Sequence, residues 1–167
     1  MRVAALASAL LALAGCTTGK PLAYKEHAAE LSGVPFFAQE RYQCGPAALA
    51  TVLVYSEVDT NPDQLVPLVY IPGRKGSFQA ELKAATRSAD RLPYELDGSL
   101  VSLLAEVSAG NPALVLQNLG LSWLPQWHYA VVIGYDPDRD KILLRSGTQQ
   151  RRAEDRERFL YSWALAN

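Results

Sequence analysis

Two apolar runs dominate the pattern of the chain. Ala47 to Tyr55 is apolar nearly all round, mostly Ala, Leu and Val, while His128-Tyr129-Ala130-Val131-Val132-Ile133-Gly134-Tyr135 is rich in β-branched and aromatic residues. The first run, opened by Cys44-Gly45-Pro46, predicts a helix from Cys44 to about Ser56. Pro46 suits a first-turn position, where its missing N–H is no loss, and an apolar circumference predicts a central, buried helix. The second run predicts a strand. Between them, Asn61-Pro62 opens a helix to about Tyr70, Ile71 to Gly76 reads as a loop, and Ser77 is placed to cap a third helix from Phe78 to about Ser88. Leu92 to Leu96 reads as extended, and Ser99 to about Ser108 as a fourth helix stopped by Gly110 and Pro112. Ala113 to Leu116 is a short buried strand, Gln117 to Gln126 a loop, Asp136 to Asp140 a turn and Lys141 to Arg145 the return strand. Arg151 to Phe159 is expected as a further strand and Leu160 to Ala166 as a short last helix. Helices first and strands later predict an α+β domain, its central N-terminal helix packed on an antiparallel sheet.

The N-terminus changes the picture of where this domain works. Met1-Arg2 is a short positive start, Val3 to Ala14 is small and apolar, and Leu13-Ala14-Gly15-Cys16 closes the stretch. This is the layout of a secretory signal, and it is shorter than the roughly 20 apolar residues of a membrane span. Leu-Ala-Gly-Cys resembles a bacterial lipobox, which implies a signal peptide over residues 1–15 and a lipid on Cys16. Thr17 after the cysteine, rather than aspartate, points by the same resemblance to the outer membrane, facing the periplasm of a Gram-negative bacterium. Residues 16–30 read as a polar, lipid-anchored tether that includes a solvent-exposed His27, and residues 31–167 as one domain.

Composition excludes more than it proposes. The chain is 49% hydrophobic and 20% charged with a net charge of −1, so bulk electrostatics give no sign of a nucleic-acid partner. The arginine-rich stretch from Lys141 to Arg158 is interrupted by Glu154, Asp155 and Glu157 and reads as a solvated face. Two cysteines and two distant histidines make no zinc spacing. No Walker-type Gly-Lys-Ser/Thr loop is present, so neither a nucleotide nor any other cofactor is expected.

With Cys16 assigned to lipid, Cys44 has no partner within the chain and is either buried and inert or reactive. Its position ahead of the apolar run, not inside it, favours reactivity. A helix N-terminus offers free backbone N–H groups and the positive end of the helix dipole, and such surroundings favour thiolate over thiol. Gly45 removes bulk beside the sulfur and is read as part of the substrate cleft. A thiolate needs a group to manage its proton; His128 opens the strongest strand, whereas His27 lies in the tether.

Gln39 with Cys44-Gly45-Pro46-Ala47-Ala48-Leu49, followed by His128-Tyr129-Ala130-Val131-Val132-Ile133-Gly134-Tyr135-Asp136, resembles the papain-like cysteine peptidases that cut double-glycine leaders from bacteriocin precursors, and among them the stand-alone exported relatives. The resemblance covers about Val34 to Thr148. It implies a papain-like fold, Cys44 as nucleophile, His128 as general base and acid, and Gln39 as side-chain donor to the oxyanion. Gln43 is the competing donor and reads as a surface residue. The family usually orients its histidine with an aspartate at the end of the following strand. Here Asp136, Asp138 and Asp140 lie at the hairpin tip. At roughly 3.3 Å per residue, Asp136 is on the order of 25 Å from His128. The return strand instead brings Arg145 to Gln149 beside the imidazole, so Ser146, Thr148 or a backbone carbonyl takes the orienting place. Such a neutral partner holds the tautomer but stabilises imidazolium less than a carboxylate does.

Trp127 and Trp123 either wall a substrate cleft or, more plainly, pack in the core, and Tyr42 is similarly ambiguous. The expected activity is hydrolysis of a peptide or protein substrate through a thioester on Cys44. The alternatives are a peptide-binding module on the same fold with little turnover, and a thiol amidase or acyltransferase.

Overall fold

A computed structural model describes residues 27–39, 43–164 and 166. The signal peptide, the lipobox with Cys16, most of the tether and Tyr42 lie outside the described residues.

The strand of aromatic and β-branched residues is the axis of the fold. β3 (Trp127–Asp136) pairs along one edge with β4 (Lys141–Ser146), which pairs in turn with β5 (Gln149–Asp155). Its other edge is shared between β2 (Ala113–Asn118), running from Ala113 opposite Val132 to Asn118 opposite Trp127, and the two-residue β1 (Ala29–Glu30), opposite Tyr135 and Gly134. Every pairing is antiparallel. The chain therefore joins the sheet before the predicted domain start at residue 31. Ala29 and Glu30 are sheet residues rather than tether, and a bidentate contact from Arg151 to Glu30 at 2.7 and 2.8 Å pins them. Close approach of β1 requires Gly134: a Cβ there would stand 2.5 Å from the Ala29 carbonyl oxygen.

Strand alternation sorts the core into two halves. Tyr129, Val131, Ile133 and Leu143 turn to one face, where they meet Ala48, Leu49 and Leu53 of α1 (Cys44–Tyr55), Leu65 and Val69 of α2 (Pro62–Val69), and Leu82 and Ala85 of α3 (Gln79–Ser88). Ala130, Val132, Ile142 and Leu144 turn to the other, under Leu103, Leu104 and Val107 of α4 (Leu100–Ser108) and Phe159 and Trp163 of α5 (Arg156–Ala164). The sheet is thus a filling between two helical layers. α1 is the central helix expected, buried over Gly45 to Thr51 and at Leu53.

Helix ends follow their capping chemistry. Asn61 and Gln64 form a reciprocal capping box, and Ser99 accepts from the Ser102 N–H at 3.1 Å. The predicted cap of α3 is wrong: Phe78 is the N-cap and makes no side-chain cap bond, while the Ser77 hydroxyl turns inward. Leu92 to Leu96 forms no strand and leaves Leu92 and Tyr94 exposed. Gln117 and Asn118, expected in a loop, extend β2.

The last segment differs most. The strand expected to reach Phe159 ends at Asp155, and the helix begins at Arg156, not Leu160. The Arg156 N–H donates to the Asp140 carbonyl at 3.0 Å as the last rung beside β4, which begins only at Lys141, after the left-handed turn at Asp140 (φ 54°). Phe159 and Trp163 then sit one helical turn apart with ring centroids 5.6 Å from each other, and both are buried. Nor is the arginine-rich stretch simply solvated, because Ile142 to Ser146 is buried. Arg145 is buried at 7% exposure and donates from Nε and Nη2 to the Val34 carbonyl at 3.2 and 2.7 Å. No helix among the described residues is long and apolar enough to cross a membrane.

Candidate active site

Cys44 is the first residue of α1 and is half-buried. The N-cap, Gln43, makes no side-chain cap bond, and the first turn holds no acidic residue. The positive end of this buried helix is therefore uncompensated at the sulfur's own turn. Tyr129 closes that end from below. The place where a Gly45 Cβ would stand is 3.7 Å from Tyr129 Cδ2. Burial, then the charge of a Cys44 thiolate and of Glu81, push the Tyr129 phenol up to about 12.

The space beside the missing Gly45 side chain is taken by Ser77. Gly45 is buried, and a Cβ on it would lie 2.3 Å from Ser77 Oγ and 2.6 Å from Ser77 Cβ. The missing side chain makes room for Ser77, the residue freed from the capping role assigned to it above.

His128 is the second residue of β3, opposite Gln117. By alternation it belongs to the face of Ala130 and Val132, whereas Cys44 lies on the face of Tyr129 and Val131. The two residues reach the same end of β3 from different sides, and among the hydrogen bonds of the described residues none joins them. The imidazole is fixed instead on the return strand, with Nε2 2.9 Å from Ser146 Oγ. Of the orienting groups considered from sequence, Ser146 makes this contact; Thr148 is exposed. Asp136 stands at the far end of the hairpin opposite Lys141, as its distance along the strand requires. Burial, and after it the charge of Arg152, push the ring down to about 4, so His128 is neutral at pH 7 with Nδ1 free of the Ser146 contact.

Gln39 is locked to the same end of the sheet. Its backbone N–H donates to the Gly147 carbonyl at 2.9 Å, its Oε1 accepts from the Gly147 N–H at 2.9 Å, and its Nε2 donates to the Tyr129 carbonyl at 3.2 Å. An amide nitrogen has two hydrogens, so one donor remains after that contact. Arg145 holds Val34, and Gly147, in the left-handed region at φ 58°, presents both its backbone groups to Gln39; together they lay residues 34–39 along the end of β4.

Trp127 and Trp123, for which core packing was the plainer reading, are 53% and 76% exposed. Trp127 is the first residue of β3 and Trp123 sits in the turn closed by the Leu121–Leu124 bridge, so neither has a layer above it. His27 is exposed, as expected of its setting.

Sequence reasoning missed a polar cluster behind the imidazole. Glu154 is buried, and its Oε1 lies 3.4 Å from both Arg152 Nη2 and Arg158 Nε. Its Oε2 accepts from Gln117 Nε2 at 3.4 Å, and Gln117 also donates to Ser162 Oγ at 2.8 Å. The available signal was a period of two: Arg152 and Glu154 share one face of β5.

The architecture has recognisable counterparts. The Peptidase_C39 like family matches residues 31–167. The chain belongs to that family. Three solved structures share its fold. A protein from Bacillus anthracis described as a C39-like peptidase is 19% identical over 83% of this chain and 93% of its own, with a TM-score of 0.67. A double-glycine motif protease from an AMS/PCAT transporter, solved in complex with the leader peptide, is 20% identical over 81% of this chain and 88% of its own, at 0.58. The peptidase domain of Streptococcus ComA, a bifunctional ABC transporter of a quorum-sensing pathway, is 17% identical over 78% and 92%, at 0.53. At these identities the likeness is one of fold. No curated protein matches the chain.

Proposed function

We propose that this C39-like chain is a cysteine peptidase in which Cys44 attacks a peptide carbonyl and His128 manages the proton. The observation that carries the reading is the His128–Ser146 contact at 2.9 Å, at the end of β3 where Tyr129 meets the start of α1. For Nδ1 to accept a thiol proton, Nε2 must carry the hydrogen of the neutral ring, and Ser146 Oγ is placed to accept it. His128 is the second residue of β3, at the end of the strand nearest the start of α1. Catalytic hydrogen bonds of this kind are commonly loose before substrate binds.

The attack builds negative charge on the former carbonyl oxygen. The free N–H groups of the first turn of α1 and the second Nε2 hydrogen of Gln39 are the donors assigned to it, of a kind worth about 10²–10³ in rate. The proton then passes from imidazolium to the leaving amine, and water hydrolyses the thioester with His128 again as base. A neutral Ser146 does little to stabilise imidazolium, and Arg152 opposes it, so turnover is expected to be slow. This same feature favours the second reading, a peptide clamp on the same fold.

Two measurements decide. A short bis-alkylator, 1,3-dibromoacetone, should bridge Cys44 to His128 in a peptide map; single labelling of Cys44 with His128 untouched sinks the shared-proton geometry. Hydrolysis of a defined peptide library should vanish in Cys44→Ala; the clamp reading gains if the native protein binds those peptides without cutting them.

The N-terminal pattern supports export and lipid attachment at Cys16, with the domain held at the outer membrane and facing the periplasm. Metabolic labelling with an alkynyl fatty acid should mark the native chain and not Cys16→Ala. Label retained in that variant would refute the anchor.

A further inference from the structure

The β4–β5 hairpin and α5 wall an open cavity of about 810 Å³ with a predominantly polar lining. Ser146, the partner of His128, stands in its wall, and so do Arg151, Arg152, Glu154, Asp155 and Arg158. The charges in that wall do not cancel. Arg151 is taken by Glu30 and Asp155 by Lys141, both through direct contacts. Arg152 and Arg158 share one oxygen of Glu154, each at 3.4 Å, which is long for a guanidinium–carboxylate hydrogen bond, and among the described residues Arg158 otherwise meets only the Asp155 carboxylate already paired with Lys141. Glu154 cannot serve them better, because it is buried and its other oxygen faces Gln117. One guanidinium charge is therefore in excess. The fork of donors on such a group is matched to a carboxylate.

We infer that this cavity is a subsite for a carboxylate of the peptide substrate, bound by Arg152 and Arg158 beside the His128–Ser146 pair. An acidic side chain and a chain-terminal carboxylate present the same chemistry. The inference rests on the peptidase reading for the word substrate, but the binding itself does not need Cys44. It also gives the missing aspartate a substitute. A bound carboxylate offsets the Arg152 charge that otherwise opposes protonation of His128, so an acidic substrate would supply part of the negative charge that the chain lacks at Ser146.

The test uses the ¹⁵N-labelled Cys44→Ala protein, in which turnover plays no part. Three probes are titrated: acetyl-Gly-Glu-Gly-amide, the same peptide with Gln for Glu, and acetyl-triglycine with a free carboxylate. The Arg152 and Arg158 side-chain N–H signals should shift saturably with the Glu peptide, and at least ten-fold more weakly with the Gln peptide. Arg158→Gln, at an exposed position, should weaken the Glu peptide several-fold, and Arg152→Gln further. If the triglycine acid binds as tightly as the Glu peptide, a terminal carboxylate is a sufficient ligand. Equal shifts with the Gln peptide, or parallel shifts at Arg74, Arg87 and Arg139, would overturn the subsite. Carboxylate binding together with no hydrolysis by the native protein would keep the subsite and sink the peptidase.

Discussion

The two faces of the sheet are built on different terms. Beneath α1, the side chains of β3 and β4 meet Ala, Leu and Val almost exclusively, and the buried polar atoms near the Cys44 end of that layer, Ser77 Oγ and Glu81 Oε2, find no partner among the described residues. Beneath α4 and α5, the middle of the layer is equally apolar, but its His128 end buries Gln117, Ser146, Glu154 and Ser162 in contact with one another or with His128. A dry layer fixes position, because interiors packed to crystal density leave little freedom. A satisfied polar layer sets charge, because hydrogen bonds and unpaired charges act strongly where water is excluded. The difference suggests a division of labour: the α1 face holds the sulfur still, and the α5 face decides how basic the imidazole is.

The strongest way to break this division is Cys44→Ala. If the α1 face only positions the sulfur, the variant should lose at least about 10³-fold in peptide hydrolysis. It should also lose less than about 1 kcal/mol of stability, as befits a half-buried side chain at a helix start. Peptide cleavage and urea denaturation read the two effects. Unfolding of the variant would make Cys44 a core residue and leave the site without a nucleophile.

The polar face should reveal itself by titration. His128 is held neutral down to about 4, against 6.5 for an ordinary imidazole. Between those values the unfolded chain takes up a proton that the fold refuses, so the contribution present at neutral pH is lost as pH falls from about 6.5 to 4. The loss amounts to roughly 3 kcal/mol. Denaturation midpoints of the native protein and His128→Gln should therefore diverge across that window, with the native protein the more acid-sensitive. Ser146→Asp sharpens the point. A carboxylate beside Nε2 should raise the ring by about 1–3 units, shrink the acid-induced loss and move the acid limb of kcat/KM upward. An unmoved limb would show that the imidazole is not the group that limits the rate.

These two faces were not equally legible. The α1 face could be read from sequence because its signals are local: an unbroken apolar run, Pro46 in the first turn, and one cysteine ahead of them. Strand rise and hairpin register also brought Arg145 to Gln149 beside His128, but left Ser146, Thr148 and a backbone carbonyl as equal candidates; the contact with Ser146 is read from the structure. The α5 face was hidden for a physical reason. Glu154, Arg152, Gln117 and Ser162 come from three elements, and their composition looked like a solvated surface until α5 folded over it. Arg145 misled in the same way, since only tertiary structure brings the Val34 carbonyl to its guanidinium. The strand-to-helix boundary at Arg156 was missed because it is set by the start of the partner strand at Lys141, a tertiary pairing that no local pattern in residues 151–159 reports.

Gly45 separates the two accounts of the space beside Cys44. If the glycine exists to admit substrate, Gly45→Ala should harm peptide cleavage and spare stability. The Ser77 contacts at 2.3 and 2.6 Å require the reverse, because both belong to a short side chain next to backbone that cannot swing away. Overpacking of this kind costs about 1–3 kcal/mol. Ser77→Gly in the same protein should recover most of the loss, and thermal unfolding of the single and double variants measures it.

The smallest effect concerns that serine alone. Ser77 Oγ is buried and, like Glu81 Oε2, finds no hydrogen-bond partner among the described residues. A buried hydroxyl without a partner costs about 1–3 kcal/mol relative to its hydration in the unfolded chain. Ser77→Ala removes that cost and keeps the Cβ that fills the notch over Gly45, so it should leave the protein unchanged or up to about 1 kcal/mol more stable. A clear loss of stability in Ser77→Ala would mean that the hydroxyl does have a partner at this end of α1. The α1 face would then carry a polar anchor beside the sulfur, and the contrast with the α5 face would be one of degree.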